Sequence, residues 1–347
     1  MYVLARIHFN YDFFAQLGKG KVMHSMSSKV MTSDVHFQTR PSRQINVVLR
    51  NYEPAPIIHD PPFQEERVST DERTGTHHLF AEFEEQLNKM VGMEQVKAIV
   101  YEIYALLQIS KMRQEIGLSQ ASQVYHMIFK GNPGTGKTTI ARIVAKLFQK
   151  MGVLSKGHLI EVERADLVGE YIGHTAQKTR ELVKKAMGGV LFIDEAYSLA
   201  RGGEKDFGKE AIDTLVKHME DSKNQFILIL AGYPFEIEQF LLTNPGLPSR
   251  FPLIIDFPDY NIDQLMEIGE LMVRERDYSL TQHASFKLRQ LILQAKQSEQ
   301  FAFSNARYVR NLLEKAVRQH AVRVINQYPK GTPSRAELMN IRSEDIK

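Results

Sequence analysis

Two short strings in the chain hold the residues whose types and spacing could do chemistry. The first is G-N-P-G-T-G-K-T at residues 131–138, which fits the spacing G-x-x-x-x-G-K-[S/T] of a phosphate-cradling loop. Glycine reaches backbone conformations closed to other residues, so the N–H groups of Gly134, Thr135 and Gly136 can turn inward on a phosphate, helped by the N-terminus of a following helix. Lys137 then meets the β- and γ-phosphates and Thr138 offers its hydroxyl to Mg²⁺. Pro133 and Thr139 complete the candidate nucleotide contacts. The second string is V-L-F-I-D-E at residues 190–195, an apolar run ending in two adjacent carboxylates. Asp194 is expected to orient Mg²⁺ and its water shell, and Glu195 to polarise the water that attacks the γ-phosphorus, so the chemistry is hydrolysis rather than transfer to an alcohol. Alone, such a pair is more often a plain strand-to-loop boundary; beside the first string it reads as catalytic.

Both strings need a sheet behind them. Short apolar runs at 127–130, 158–162, 190–194, 226–231 and 253–257 alternate with segments of helical periodicity, the pattern of a mainly parallel sheet covered on both faces. Ile140, Ile143, Val144, Leu147 and Phe148 follow the glycine string at i, i+3, i+4, i+7 and i+8, so one face of that helix is buried. A helical stretch through Met90, a break at Val91 and Gly92, and a helix over about 94–114 precede the first strand. Beyond Pro258 no further strand is expected, and three helices follow at about 261–277, 282–297 and 305–327. Five of the thirteen prolines fall between Pro41 and Pro62, so residues 1–78 read as a linker-like extension with one short strand near 44–50.

Composition removes other classes of function. The chain has 347 residues, 43% hydrophobic and 24% charged, which suits about two packed domains. The net charge of +3 is too small to argue for nucleic acid or anionic lipid. Without cysteine there is no disulfide, thiolate metal site or thiol nucleophile, which suits a reducing compartment, and the expected location is the cytoplasm. No apolar run approaches the roughly 20 residues of a membrane helix. The twelve histidines form no convincing metal pair, and no serine-nucleophile elbow is present.

G-N-P-G-T-G-K-T-T, S-K-G-H-L-I-E-V-E-R-A-D-L-V-G-E-Y-I-G-H-T, L-F-I-D-E-A-Y-S-L and N-P-G-L-P-S-R-F together resemble the AAA+ ATPases. Residues 87–323, about two thirds of the chain, are similar to the stage V sporulation protein K family, relatives of red-type rubisco activases. The resemblance implies an α/β AAA+ P-loop NTPase with a five-stranded parallel sheet at 79–258 and a small helical lid with a short tail at 259–347. Its cofactors would be ATP and Mg²⁺. It also implies roles for further residues. Val91 and Gly92 match the segment that cradles adenine, with a simple helix–helix turn as the equal alternative. Arg250 matches an arginine finger that reaches the γ-phosphate of the neighbouring subunit; otherwise it is a solvated loop arginine. Arg307 matches the sensor-2 position, although Arg310 one turn later could be the true contact. Tyr233 stands where most AAA+ proteins carry a polar sensor-1 residue, and either bonds a water or packs as an aromatic. Tyr171, Ile172 and Gly173 match a pore loop that grips extended polypeptide, and flanking glycines favour an exposed loop.

The function implied is a ring, six subunits by resemblance, in which ATP hydrolysis drives remodelling of a protein partner in spore formation. Neither a membrane span nor nucleic acid is expected. Two alternatives stay open. A DNA-associated loader would use basic residues such as Arg307, Arg310, Lys315, Arg318 and Arg323, which Glu314 interrupts. A nucleotide-regulated scaffold would have no need of Glu195.

Overall fold

A computed structural model describes residues 83–119, 123–171, 173–202, 206–223, 225–298 and 303–347. The linker-like extension, its strand near 44–50 and Ile172 lie outside the described residues.

Helix α1 (Glu94–Glu115) leads into strand β1 (Met127–Gly131), then α2 (Lys137–Lys150), β2 (Leu159–Val162), α3 (His174–Ala186), β3 (Val190–Ile193), α4 (Gly208–Asp221), β4 (Ile227–Gly232), α5 (Pro234–Leu241) and β5 (Leu253–Phe257). The five strands are parallel in the order β2-β3-β4-β1-β5. All five expected apolar runs are strands, with ends shifted by about one residue. Because the chain leaves β1 for the far edge and later crosses it to reach β5, the strand order reverses beside β1. A parallel sheet opens a ligand crevice at such a place, beyond the carboxyl ends of the strands. The glycine string occupies it.

The two-residue period of the strands divides the core between the faces of the sheet. Met127, Phe129, Phe192 and Ile229 point to the face covered by α1 and α2, whereas Ile128, Leu191, Ile193, Leu228 and Leu230 point to the face covered by α3 and α4. Strands β3 and β4 are buried along their whole length, which explains why they read as continuous apolar runs.

Three longer helices, α6 (Ile262–Arg274), α7 (Gln282–Ser298) and α8 (Ala306–Gln327), and the short helix Arg335–Met339 form the lid. Asn261 caps α6 by accepting the Gln264 N–H at 2.8 Å, and the Gln264 side chain returns to the Asn261 N–H at 2.9 Å. The lid also corrects one expectation, since strands do not stop at Pro258. Ser279–Leu280 pairs in parallel with Asn340–Ile341. A two-residue bridge carries no measurable alternation, so periodicity could not have found it. Arg323, nearly buried, donates to Asp345 at 2.9 Å and 3.1 Å and pairs with Glu337 at 3.3 Å. That cluster fastens the C-terminal residues to α8 and removes Arg323 from any exposed basic row. Among the described residues no helix is long and apolar enough to cross a membrane.

Candidate functional site

Between β1 and α2 the chain must turn tightly against β5. A Cβ on Gly131 would lie 2.6 Å from the Phe257 carbonyl, and Gly134 and Gly136 have φ of 71° and 95°, where side chains are disfavoured. Gly136 is the N-cap residue of α2. The buried Thr135 hydroxyl donates to the Asn132 carbonyl at 2.8 Å, which leaves only its N–H to serve a ligand. The Lys137 ammonium donates to the carbonyls of Gly131 at 2.8 Å and Asn132 at 2.9 Å. Burial lowers its pKa, and the nearby Asp194 carboxylate works in the opposite direction. A partly desolvated cation held by carbonyl dipoles beside a row of N–H groups is suited to an anion.

Asp194 and Glu195 emerge from the buried end of β3. Asp194 Oδ1 accepts the Glu195 N–H at 3.0 Å, and Glu195 takes the left-handed conformation at φ 47° and ψ 44°. Such a conformation costs a non-glycine residue on the order of 1–3 kcal/mol, and here it turns the carboxylate out of the strand direction into the crevice. Lys137, Thr138, Thr139, Asp194 and Glu195 line one cavity of about 440 Å³ together with Pro133, Gly134 and Gly136. Among the described residues no three His, Asp or Glu converge as a self-sufficient metal site. The Thr138 hydroxyl and the Asp194 carboxylate line the same cavity and could supply two oxygens to Mg²⁺, whose remaining positions phosphates and waters can fill.

The remaining walls come from elsewhere in the chain. Val91 lines the cavity beside Lys89 and Met90. Gly92 does not. Its φ of 63° makes it the turn residue, and a side chain there would strike Gln264 at the start of α6. Tyr233 is in the wall, with its ring 6.0 Å from that of Tyr197, and burial raises the pKa of its hydroxyl above the usual tyrosine range. From the lid come Arg307 and Arg310 together. Sequence reasoning missed Tyr260 and the α6 residues Ile268, Leu271 and Met272, which also line the cavity. The last three share one face of the helix expected at about 261–277, at i, i+3 and i+4.

Arg250 and the loop residues Tyr171 and Gly173 lie away from this cavity. Arg250 ends the one-turn helix Leu247–Arg250, where its guanidinium pairs with Glu220 of α4 and donates to the Gly246 carbonyl at 2.7 Å. Tyr171 is 65% exposed, with its ring edge-on to His174 at 5.3 Å. The loop that carries it is closed at its base by the Gly169 N–H, which donates to the Thr175 hydroxyl at 2.9 Å, and by Gly173 at φ 82°. In the loop after the second string, Asp206 is pinned by Arg164 at 2.6 Å and Arg201 stacks on Tyr197 at 4.7 Å.

Residues 127–259 match the model of the ATPase family associated with various cellular activities (AAA), and residues 261–347 match the AAA lid domain. Stage V sporulation protein K of Bacillus subtilis is 54% identical over 306 residues, which covers 87% of this chain and 93% of that protein. The chain belongs to the stage V sporulation protein K family of AAA ATPases. A further relative of this family member is the chloroplastic ribulose bisphosphate carboxylase/oxygenase activase of Cyanidioschyzon merolae, 44% identical over 74% of this chain and 87% of that one. Among solved structures the FIGL-1 AAA domain in complex with ADP shares the fold, with a TM-score of 0.50, 18% identity and coverage of 74% of this chain and 80% of that chain. As an AAA ATPase, this sporulation protein K relative hydrolyses ATP with Mg²⁺.

Proposed function

We propose that this ATPase works as a ring, six subunits by analogy with its family, and that hydrolysis at each cavity moves a loop that pulls on a protein partner. The observation that carries the reading is the convergence of Lys137, Thr138, Asp194, Glu195 and Arg307 on one cavity while Arg250 faces away from it. In the proposed reaction Lys137 leaves the Gly131 and Asn132 carbonyls for the β- and γ-phosphates, and the N–H groups of residues 134–136 hold the remaining phosphate oxygens. Mg²⁺, held by Thr138 and Asp194, would neutralise the charge that develops between these phosphates. Glu195 takes the proton of the attacking water. Arg250 of the adjacent subunit and Arg307 of the lid would both meet the γ-phosphate. Val91 lies against adenine and Gly92 supports it as a turn.

Exposure of Tyr171 supports a role in gripping, because a stiff amphipathic ring contacts most peptide sequences at small entropic cost. Ile172 and Gly173 complete the loop. Spore formation as the setting, with the cytoplasm as the site of action, rests on the 54% identity to the Bacillus subtilis protein. The DNA-loader reading loses support from Arg323, which is neutralised by Asp345 and Glu337, and from Arg307 and Arg310, which line the nucleotide cavity.

The test is a Glu195→Gln trap. It should bind ATP, release no phosphate and retain a specific protein from a lysate in an ATP-dependent way. Loss of that retention on Tyr171→Ala supports the pore loop; retention of DNA instead would replace the reading with the loader.

A further inference from the structure

Asn305, the residue before α8, is fully buried and has φ 49° and ψ −127°, a conformation normally left to glycine. Its side chain holds it there. The amide NH₂ donates to Asp259 Oδ1 at 2.8 Å and faces the carbonyls of Pro133 and Phe303, each at 3.3 Å, while its oxygen accepts the Tyr260 N–H at 3.1 Å. Rotating the amide by half a turn would set NH₂ against N–H and oxygen against carboxylate, so the orientation is fixed. One residue on, the Ala306 N–H donates to the Gly134 carbonyl at 3.3 Å. Asp259 is shared. Its two oxygens also accept the Asn132 side-chain amide at 3.0 Å each. Asn132 in turn offers its backbone carbonyl to Lys137 at 2.9 Å. The phosphate loop, the connector at Asp259 and Tyr260, and the first turn of α8 are thus joined through three side chains.

We propose that Asn305 is a positioning residue of the ATPase: with Asp259 and Asn132 it forms a latch that holds Arg307 over the phosphates and passes the occupancy of the loop to the lid. The inference rests on the reading that phosphate binds at Lys137. When Lys137 turns to phosphate it gives up the Asn132 carbonyl, and the residue whose side chain grips Asp259 loses one of its restraints. Asp259 then carries the shift to Asn305, where the strained backbone makes the start of α8 depend on side-chain bonds rather than on its own conformational preference. A lid held only by apolar packing would have no need of a buried amide at a glycine-type position.

The experiment compares Asn305→Gly, which suits the backbone but deletes the amide, with Asn132→Ala, which cuts only the far end of the latch, and both with Arg307→Ala. The readouts are steady-state ATPase, ADP affinity, melting temperature, and the distance between fluorophores on α6 and α3 with and without a non-hydrolysable ATP analogue. Both latch variants are expected to keep ADP affinity within about threefold, to lose about tenfold in kcat, and to lose most of the nucleotide-driven distance change. Added to Arg307→Ala, either variant should cost less than about twofold more, because the latch acts through that residue. Wild-type kcat and lid movement in both variants would overturn the proposal, as would losses fully additive with Arg307→Ala. If Asn305→Gly melts below the assay temperature, Asn132→Ala alone decides by the same criteria. Lys137→Ala separates the two levels. Full activity in that variant refutes the phosphate site itself, whereas its inactivity alongside unaffected latch variants refutes the latch alone.

Discussion

The arrangement of Arg250 makes a quantitative prediction. Its guanidinium is engaged by Glu220 and Gly246 outside the cavity that holds Lys137 and Glu195, so within one protomer it adds nothing at the γ-phosphate. A finger supplied by a neighbour is worth ~10³ to 10⁵ in rate, which is about 4–7 kcal/mol of transition-state stabilisation. Arg250→Ala should therefore bind ATP with near-normal affinity and retain under about 1% of turnover. The informative assay mixes Arg250→Ala protomers, which keep Glu195, with Glu195→Gln protomers, which keep Arg250, and follows phosphate release. In a random equal mixture about a quarter of interfaces place an intact Glu195 opposite an intact Arg250, so activity should recover to about a quarter of wild type although both parents are nearly inactive. A mixture no more active than its parents would refute a finger acting across the interface. So would a dilute monomer with full activity per protomer.

Two further substitutions test the packing around the site. Gly134→Ala places a Cβ against the Ser304 carbonyl and 2.8 Å from the Arg307 N–H, at a residue with φ 71°. The lid must then retreat by roughly half an ångström or more, and kcat should fall between about 10-fold and 100-fold; unchanged steady-state kinetics would contradict the close seating of lid on loop. His126 is buried, and its Nδ1 accepts the Leu228 N–H at 2.9 Å, so the ring is neutral and desolvation holds its pKa down at about 4. The unfolded chain takes up that proton near pH 6.5, so the contribution is complete above that pH and is lost as pH falls toward 4, about 2.5 kcal/mol by about pH 4.5. His126→Asn keeps an acceptor that does not titrate, and denaturant melts should show a flatter pH dependence; a profile identical to wild type would refute the assignment.

Much of the fold and of the catalytic strings was legible because both are local signals. The glycine spacing needs only eight consecutive residues, and β3 and β4 announce themselves through uninterrupted apolar runs that follow from burial on both faces. Legibility fails where a role depends on residues far apart in sequence. Tyr260, Ile268, Leu271 and Met272 become cavity residues only because the lid folds back over the loop. Asn305 falls in the S-N-A-R segment singled out for Arg307, but its own role was not legible, since neither its glycine-type backbone nor its bonds to Asp259 and Pro133 can be read from the letter N. Gly92 stood open between the base pocket and a helix–helix turn, and only its positive φ and the nearness of Gln264 favour the turn. The pairing of Ser279–Leu280 with Asn340–Ile341 was too short to leave a period.

The central claim is that ATP displaces Lys137 from the loop carbonyls and is cleaved by water acting with Glu195. A crystal structure of Glu195→Gln with ATP and Mg²⁺ tests it most directly. The account predicts intact triphosphate in the cavity, the Lys137 ammonium moved from the Gly131 and Asn132 carbonyls onto the β- and γ-oxygens, and the ion between Thr138 and Asp194. Triphosphate bound elsewhere, or Lys137 still on those two carbonyls with nucleotide present, would contradict it.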